Sequence, residues 1–331
     1  MLSWHDSAKN TGGVKAKEDT DQILLNNGFK KINSPSSKLG KLLFVFILYP
    51  IILKITKPDN VLIQFPSGTP KLMHHLLKCT KNNTNQLTLL IHDIEALRIN
   101  SMYSKDYNIE NIHQELERIK FADKLIVLND TMKNWLISQG IDIPMVSLEL
   151  WDYLSNSTLN TSLIFNKSIC FAGNLNKSTF LSKLNLKYTI DTYGPNPISN
   201  YPECISYHGV FPPDNLNTVL LQNFGLVWDG DSCETCAGKF GEYIKYNNPH
   251  KLSLYLSNGI PVIFWKHGAL APLIEKYKVG ILVENLSQID NILDNLSTDE
   301  YQILKNNALL VSKKVRSGYF LTSALKKLQL I

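Results

Sequence analysis

Short apolar runs alternate along this chain with longer stretches of helical periodicity, and this alternation constrains the fold more than any other feature. The first series of strand-like runs is "NVLIQF" (60–65), "LTLLIHD" (87–93) and "KLIVLN" (124–129), with helical stretches at 70–79 and 109–121. The second series is "KSICFAG" (167–173), "YTIDTYG" (188–194), "FGLVWDG" (224–230), "IPVIFW" (260–265) and "VGILVE" (279–284). Strands that alternate with helices favour parallel sheets. The sequence therefore predicts two α/β domains.

The boundary between the domains is predicted in "DYLSNSTLNTSLIFN" (152–166), which is rich in Ser, Thr and Asn and poor in periodic apolar residues. A chain of 331 residues also suits about two domains. We expect a first domain over residues 1–155 and a second over 156–315. The remaining segment, 316–331, contains an amphipathic helix at 316–329 that is expected to cross back to the first domain.

Several strands of the second series end in turn-forming pairs. These pairs are Gly173-Asn174, Gly194-Pro195 and Asp229-Gly230. In parallel sheets the ligand lies beyond the carboxyl ends of the strands. We therefore expect these loops to line one shared crevice.

Charge and cysteine content exclude several classes of protein. The net charge of +5 is modest and is interpreted as spread along the chain, which argues against a nucleic-acid binder. Five cysteines, an odd number, favour free thiols over a disulfide framework. The N-terminal "MLSWHDSAKNTGG" lacks the pattern of a secretory signal, so a cytoplasmic protein is expected.

The longest apolar run, "LLFVFILYPIIL" (42–53), is flanked by Lys38, Lys41, Lys54 and Lys57. It is too short to span a bilayer core, which needs roughly 20 apolar residues. One interpretation is a core helix, or a strand pair interrupted at Pro50. The other is that 38–57 forms an apolar patch with a basic collar that contacts the cytoplasmic face of a membrane.

The stretch "YNNPHKLSLYLSNGIPVIFW" (246–265) predicts a helix followed by a buried strand. Asn248 is expected to cap the helix, Pro249 to occupy its first position and Gly259 to end it. His250 and Lys251 then lie in the first turn, where a helix dipole disfavours positive charge. Free N–H groups, the dipole and the Lys251 ammonium would together suit a phosphate. Alternatively, the Lys251 side chain extends into water.

The N-terminal stretch "SAKNTGGVKAKED" (7–19) suggests a second site of this kind, because Gly12-Gly13 precede a predicted helix that runs to Asn27 and Lys9, Lys15 and Lys17 surround its start. Backbone can approach a ligand closely at such glycines. The stretch lacks the Gly-Lys-Ser/Thr ending of a P-loop, and the chain has no G-x-G-x-x-G. A plain flexible loop is the alternative.

"LLIHDIEALR" (89–98) places His92, Asp93 and Glu95 at the end of a predicted buried strand. One of these side chains could remove a proton from an acceptor hydroxyl. The alternative is that Asp93 caps a following helix and His92 is a core residue.

"WDGDS" (228–232) contains Asp229 and Asp231 at a spacing by which many sugar transferases hold a divalent metal, although three letters are a weak signal. "CETC" (233–236) has no second cysteine pair to complete a zinc site, so Cys233 and Cys236 are interpreted as structural.

Four motifs together resemble one family of enzymes. They are residues 225–265, "LIHDIEALR" (90–98), "FAGNLNKS" (171–178) and "SKKVRSGYF" (312–320). The chain closely resembles, along nearly its whole length, the bacterial β-1,6-galactofuranosyltransferases of O-antigen and exopolysaccharide synthesis. More distantly it resembles the glucosyltransferases that extend the first sugar on streptococcal serine-rich adhesins. The 225–265 block is the specific part of the likeness.

The resemblance implies a GT-B architecture, in which two Rossmann-like domains with parallel sheets face a central cleft and the second domain holds the nucleotide-sugar. It implies that Lys251 and the turn from Pro249 to Leu254 contact the diphosphate of UDP. It also implies nucleotide contacts for Gly12, for Lys177, where relatives have Arg, and for Phe211, where they have Tyr. Lys177 lacks the bidentate grip of an arginine and Phe211 lacks a hydroxyl, so both positions depart from the pattern.

The full set of predicted site residues combines both lines of reasoning. Asp93, with His92 second, is the predicted catalytic base. The predicted nucleotide-sugar contacts are Gly12, Asn174, Lys177, Phe211, Asn248, Pro249, His250, Lys251, Leu252, Ser253 and Leu254. GT-B enzymes generally use no bound metal, so we expect no metal and no cofactor, and Asp229 and Asp231 are assigned to sugar hydroxyls and loop structure.

The predicted function is transfer of a hexose, galactofuranose above all, from a UDP-sugar to a glycan or glycolipid hydroxyl with inversion, in bacterial surface polysaccharide synthesis. One alternative is a UDP-glucose-dependent glucosyltransferase that extends N-acetylglucosamine on adhesins. Another is a non-catalytic partner that binds nucleotide or glycan beside another transferase. We expect no nucleic-acid partner, peripheral membrane contact through 38–57, and a homo-oligomer.

Overall fold

The computed structural model describes residues 1–3, 12–99, 109–159, 161 and 164–331. Within these residues the chain forms two domains, each built on a parallel six-stranded sheet flanked by helices. The predicted α/β class and the parallel sheets are therefore confirmed. Lys9 lies outside the described residues.

The first sheet has the strand order β2-β1-β3-β4-β5-β6, and every strand pair in it is parallel. Its strands are β1 (Leu2–Ser3), β2 (Ile32–Asn33), β3 (Asn60–Phe65), β4 (Gln86–Ile91), β5 (Lys124–Val127) and β6 (Met145–Ser147). The helices of this domain are α1 (Gly12–Asn26), α2 (Lys38–Leu43), α3 (Tyr49–Thr56), α4 (Pro70–Asn83), α5 (Glu95–Ile99), α6 (Ile109–Ile119) and α7 (Asp130–Ser138).

The second sheet has the order β12-β11-β10-β7-β8-β9 and is also parallel throughout. Its strands are β7 (Ile169–Ala172), β8 (Ile190–Tyr193), β9 (Ile205–Tyr207), β10 (Phe224–Val227), β11 (Val262–Trp265) and β12 (Gly280–Val283). Its helices are α8 (Pro213–Val219), α9 (Gly238–Gly241), α10 (His250–Ser257), α11 (Ala271–Tyr277), α12 (Gln288–Asn295), α13 (Thr298–Arg316) and α14 (Tyr319–Lys327), with short 3₁₀ segments at Leu175–Lys177, Thr179–Lys183 and Glu242–Lys245.

The central strands are buried on both faces, which explains why the sequence revealed them. Five of the six residues in β3 and in β4 are buried, as are all four in β7, β10 and β11. Strands covered by helices on both sides show continuous apolar runs instead of alternation. The sequence pattern missed β1, β2, β6 and β9, because strands of two or three residues have no period to detect.

The apolar run at 42–53 forms one continuous helical stretch, so the predicted strand pair is wrong. The α2 helix passes through a π-helical turn at Phe44–Leu48 into α3 without a break. Pro50 is tolerated because it lies in the first turn of α3, directly after the π turn, where a missing N–H costs little. One side of the stretch packs into the core, and the Tyr49 hydroxyl lies 2.8 Å from Thr80 Oγ1.

The helix predicted at 316–329 is α14, which is shorter at both ends (Tyr319–Lys327) and is separated from α13 by Gly318. Gly318 has a φ of +75°, and a Cβ there would lie 2.8 Å from Ile23 of α1. The α14 helix contacts the first domain, since the Asp152 carboxylate accepts hydrogen bonds from the N–H groups of Phe320 and Leu321. The C-terminal helix thus lies against α1 and β6.

The stretch predicted to link the domains has neither helix nor strand among its described residues, but it is well packed. Asp152 and Tyr153 are buried, and the Tyr153 N–H donates to Val315 O at 2.9 Å. Arg316 donates to the carbonyls of Ser155 and Ser157 from α13. These contacts hold the connection against the C-terminal helices.

Candidate active site

The carboxyl ends of β4, β7 and β10 meet the first turn of α10 between the two domains. The α1 helix of the first domain packs against α10 at the same place. Lys251, Asp229, His92, Asp93 and His250 lie at these strand ends or at the start of α10. The polar groups of the candidate site therefore come from both domains.

Lys251 lies in the first turn of α10 with its ammonium between the ends of β7 and β10. Its Nζ donates to Asp229 Oδ1 at 2.7 Å and to Trp228 O at 3.0 Å, and lies 4.4 Å from the centroid of the Phe171 ring. A Cβ on Gly173, the residue after β7, would be 3.8 Å from Nζ. The side chain is only 12% exposed, so the alternative that it extends into water is wrong.

The Asp229 carboxylate explains how a lysine is accommodated beside the positive end of α10. An ion pair at 2.7 Å, with the Asp229 side chain 21% exposed, offsets the unfavourable position in the helix dipole. Asp229 lies directly after Trp228, at the end of β10, so the strand brings it to the ammonium. The sequence assigned Lys251 to the diphosphate and Asp229 to sugar hydroxyls and loop structure, and it gave no sign that the two residues form an ion pair.

Asn248 does not cap α10, which corrects the prediction. Pro249 occupies the N-cap position, and its side chain makes no capping hydrogen bond. The Asn248 amide instead reaches the first domain: Nδ2 donates to Leu128 O at 2.8 Å and to Glu149 O at 3.1 Å, and Oδ1 accepts from Asn129 Nδ2 at 2.9 Å. Leaving these buried carbonyls without hydrogen-bond donors would cost more free energy than leaving the helix start without a side-chain cap. The prediction that Gly259 ends the helix is confirmed, with a φ of +63° just after the C-cap.

Two histidines, one from each domain, lie close together at the cleft. His92 stacks on Trp151 with ring centroids 4.6 Å apart, and the centroid of the His250 ring lies 5.1 Å from that of Tyr153. The Nε2 atoms of both are buried and have no hydrogen-bond partner among the residues that the structure describes. The pKa of each histidine is lowered to about 3, chiefly by burial, with smaller contributions from Lys17 and His250 at His92 and from Lys15 at His250. Both imidazoles are therefore neutral at physiological pH.

The α1 helix runs from Gly12 to Asn26, close to the helix predicted to run to Asn27, and Lys15 and Lys17 lie in its first two turns. The alternative of a plain loop is wrong for these residues. Lys15 Nζ bonds Asp19 Oδ1 at 2.6 Å and Leu154 O at 2.8 Å, and lies 5.0 Å from the Tyr153 ring centroid. The first turn of α1 has no acidic residue. Two helix starts, those of α1 and α10, thus bring positive charge toward the histidine pair.

Asp93 follows β4 and lies near a tyrosine of the second domain. The Tyr243 hydroxyl accepts from the Ile94 N–H at 2.9 Å and lies near the Asp93 carboxyl. Burial raises the pKa of Asp93 to about 6, while Arg98 and Lys177 oppose the rise. The influence of Lys177 shows that this second-domain lysine lies near Asp93 across the cleft.

The start of α5 is capped by Glu115 of α6, so Asp93 is not the cap that one interpretation proposed. Glu115 accepts from the N–H groups of Glu95 at 3.0 Å and Ala96 at 2.7 Å. Burial raises its pKa to about 7. Sequence reasoning missed both Glu115 and Tyr243, which are far from Asp93 in the chain and carry no local motif.

The remaining predicted residues lie around the ends of β7 and β8 and in α10. Asn174 Oδ1 accepts from Asn196 Nδ2 at 2.9 Å, Lys177 Nζ lies 5.3 Å from the Phe240 ring centroid, and the Phe211 and Tyr193 centroids are 5.9 Å apart. The side chains of Leu252, Ser253 and Leu254 are buried inside the second domain. These three can reach a ligand only through their backbone.

Asp231, Cys233 and Cys236 are part of the loop after β10. The Asp231 carbonyl accepts from Lys183 Nζ at 2.6 Å, and Cys233 Sγ lies 3.6 Å from Phe180 O. Burial raises the pKa of both thiols. Among the residues that the structure describes, no three His, Cys, Asp or Glu side chains are grouped to hold a metal ion.

Two family models match this chain and together span most of it. The glucosyltransferase 3-like N-terminal domain matches residues 3–150, and the glucosyltransferase 3-like C-terminal domain matches residues 169–328. The gap between them, residues 151–168, includes the whole predicted linker at 152–166.

Two curated relatives have the activities that the resemblance suggested. A β-1,6-galactofuranosyltransferase, WbbI of Escherichia coli K12, is 27% identical over 97% of this chain and 95% of its own length. Glucosyltransferase 3 of Streptococcus gordonii is 27% identical over 71% of this chain and 68% of its own.

Solved structures share the two-domain fold at low sequence identity. HepE of Anabaena, solved in complex with UDP, has a TM-score of 0.58 at 13% identity and covers 95% of this chain and 90% of its own. Sucrose-phosphate synthase of Thermosynechococcus elongatus has a TM-score of 0.61 at 11% identity, with 91% and 83% covered. The predicted GT-B architecture is confirmed.

The two neutral histidines predict a loss of stability in mild acid. The pKa values of the two imidazoles in the folded protein lie below the unfolded value of 6.5. The stability that the neutral imidazoles contribute is therefore fully present above pH 6.5 and is lost as pH falls toward 3. At pH 5 each should have lost about 2 kcal/mol. Replacing His250 by Gln should therefore reduce, by about that amount, the drop in unfolding free energy between pH 7.5 and pH 5 in urea titrations.

The matched control for this experiment is His113→Gln, because His113 is exposed on α6 and its surroundings change little on unfolding. His92→Gln should behave as His250→Gln does. Equal pH dependence in the wild type and in both cleft variants would show that the buried imidazoles bind protons in the folded protein.

Proposed function

Because the chain belongs to the glucosyltransferase 3-like family, and is thus a glycosyltransferase that uses a UDP-sugar, we propose that it transfers galactofuranose from UDP-galactofuranose to a glycan hydroxyl in bacterial surface polysaccharide synthesis. The observation that carries this choice of sugar is the full-length match to the galactofuranosyltransferase of E. coli. We also propose that the reaction takes place on the cytoplasmic side of the membrane, where the acceptor is a growing glycan or glycolipid.

In this proposal the diphosphate of UDP binds at the first turn of α10, within the Pro249–Leu254 stretch. Lys251 supplies a cation whose position is fixed by Asp229 and Trp228, and the backbone N–H groups of His250 and Lys251 at the helix start supply further donors. An ammonium has three donors, and the two protein bonds leave one for a phosphate oxygen. Such charge-assisted bonds grow stronger as negative charge develops on the departing phosphate.

The transfer itself is proposed to invert the anomeric centre in a single displacement. The acceptor oxygen attacks the anomeric carbon as the bond to the UDP oxygen breaks, and the acceptor proton passes to a base. Asp93 is our choice for that base, with Tyr243 and Lys177 near its carboxyl. His92 is the second choice, since its neutral Nε2 has no partner within the described residues.

No bound metal takes part in this proposal, because cations and helix starts from both domains can neutralise the leaving group. The charges concerned are Lys251, Lys177, Lys15 and Lys17 with the N-terminal ends of α1 and α10. Activity that vanished in EDTA and returned with manganese would contradict it.

A second candidate is a UDP-glucose-dependent glucosyltransferase that extends protein-linked N-acetylglucosamine. The family description and the match to glucosyltransferase 3 of S. gordonii favour it. The folds of the two candidates are the same, so only the sugar pocket distinguishes them.

A donor panel tests the choice between these sugars. UDP-galactofuranose, UDP-galactopyranose and UDP-glucose should each be incubated with the purified protein and a panel of acceptor glycosides, and the products identified by mass spectrometry. We expect transfer from UDP-galactofuranose with a β-linked product. Transfer from UDP-glucose alone would favour the second candidate, and UDP binding without any transfer would refute both.

Replacing Lys251 by Ala should weaken UDP binding by about 10- to 100-fold, because a charge-assisted bond to phosphate contributes about 1.5–3 kcal/mol. Titration calorimetry with UDP measures the change. Lys187→Ala is the matched control, because Lys187 pairs with Asp294 at 2.7 Å near the amino end of β8, away from the cleft. Full UDP affinity in Lys251→Ala, with equal loss of stability in Lys251→Ala and Asp229→Ala, would reduce Lys251 to a structural ion-pair partner.

Replacing Asp93 by Asn should leave UDP affinity intact and lower kcat by roughly 10²–10⁴-fold. In the wild type kcat/KM should fall as pH drops below about 6, because the carboxyl becomes protonated near its raised pKa and can no longer accept a proton. The variant should lack this decline. Glu95→Gln, which removes a neighbouring carboxylate bound to Arg98, is the control and should keep most activity. Unchanged turnover in Asp93→Asn would remove Asp93 from the mechanism.

A further inference from the structure

The helical stretch Lys38–Thr56 exposes a large apolar surface that the proposed reaction does not use. Its large apolar side chains are 45% to 76% exposed, and they include Leu39, Phe46, Ile47, Leu48, Ile51 and Ile55. We call this surface the apolar face. Only 22% of the 18-residue apolar window in this stretch is buried. Exposed apolar surface of this extent marks an interaction site.

The opposite side of the same stretch belongs to the core of the first domain. Phe44, Val45, Tyr49 and Leu53 are at most 3% exposed, and the Tyr49 hydroxyl lies at hydrogen-bond distance from Thr80 of α4. The stretch is long and apolar enough to cross a bilayer by composition alone. To cross one it would have to leave the sheet and α4 and expose the core beneath it. The fold therefore suits a helix that lies in an interface, with one side in protein and one side outward.

The charge around the apolar face has a single sign. Residues 22–58 contain six lysines and no Asp or Glu, and between residues 22 and 92 the one carboxylate side chain is Asp59. The adjacent α4 helix adds exposed Lys71 and Lys78, and His75, whose ring centroid lies 4.2 Å from that of Phe46. The positive charge of the chain is thus concentrated on this part of the first domain and not spread evenly as expected from its net value.

We propose that the apolar face binds the surface of a membrane that contains anionic lipids, with the flanking lysines at the level of the headgroups. Apolar side chains that enter the acyl boundary and lysines that contact lipid phosphates are the two signals that a stable peripheral contact needs. This contact is independent of which sugar the enzyme transfers.

A second copy of the chain fits the apolar face less well. In a two-fold dimer the same patch faces itself, so lysines would oppose lysines with no carboxylate on the face to pair with them. An anionic membrane offers the complementary charge. The homo-oligomer expected from the sequence stays a prediction, and the experiment below separates the two occupants.

The test is co-sedimentation of the purified full chain with vesicles of phosphatidylcholine alone and with vesicles of equal parts phosphatidylcholine and phosphatidylglycerol. We expect binding to the anionic vesicles that weakens with added salt. Lys38→Gln with Lys54→Gln should weaken it about 25-fold, or about fivefold per lysine. Ile47→Ser with Ile51→Ser should weaken it by at least about tenfold, because two apolar side chains no longer enter the bilayer.

Matched controls use the same substitutions elsewhere on the surface. Ile303→Ser with Leu310→Ser removes two residues that are 57% and 61% exposed on α13, and Lys313→Gln with Lys326→Gln removes two exposed lysines. Neither pair should alter vesicle binding. Donor hydrolysis or transfer to a soluble acceptor should be the same in all four variants, so failure of membrane binding and failure of the proposed activity are distinguishable.

Three results would overturn the proposal. The first is no binding to anionic vesicles, and the second is binding that Ile47→Ser with Ile51→Ser leaves unchanged. The third is a dimer in sedimentation experiments without lipid that the same double variant dissociates, because a second copy would then cover the face.

Discussion

A buried pair of amides between the two domains fixes the start of α10, and with it the candidate phosphate site, against the first domain. Asn129 lies between β5 and α7, and Asn248 precedes α10. Asn129 Nδ2 donates to Asn248 Oδ1 at 2.9 Å and to Tyr246 O at 2.8 Å. Asn248 Nδ2 donates to two carbonyls of the first domain, and Asn129 Oδ1 caps α7 through the Met132 N–H at 2.9 Å. All the main hydrogen-bonding groups of both amides are thus used. Since unpaired buried amide groups are costly, this arrangement fixes the start of α10 against the first domain.

A second link between the domains lies beside the proposed base. Tyr243 lies in the second domain, yet its hydroxyl accepts from the Ile94 N–H of the first and lies near the Asp93 carboxyl. The environment of the Asp93 side chain therefore depends on the arrangement of the two domains seen in this structure. The same closure brings His92 toward His250, as the effect of one ring on the pKa of the other requires. In the proposed reaction, alignment of the base and formation of the phosphate site are parts of one domain arrangement.

The sequence was sufficient for the strands that reach the site and insufficient for the contacts between them. Runs such as β3 and β10 are continuous and apolar, so their position and the crevice at their carboxyl ends could be predicted. Asn248 was predicted to cap α10 because asparagine is favoured at N-cap positions. In the structure its amide instead donates to buried carbonyls of the first domain. The Lys251–Asp229 pair joins residues 22 positions apart on different elements, and no periodicity connects them. The interruption expected at Pro50 in one interpretation does not occur. Pro50 fits into the helical stretch because a π turn precedes it, and composition does not reveal such a turn.

The charge distribution at the cleft assigns different chemistry to its lysines and its histidines. Lys251 and the helix starts carry permanent positive charge, which suits a diphosphate. The histidines remain neutral chiefly because they are desolvated, and the nearby lysines are the smaller cause. A bound diphosphate would offset the effect of the lysines but not the desolvation, so the imidazoles would stay neutral with the nucleotide in place. Neutral Nε2 atoms can donate to or accept from hydroxyl groups, as a sugar between two domains requires. The lysines are therefore suited to the leaving group, and the histidines to the sugar and its acceptor.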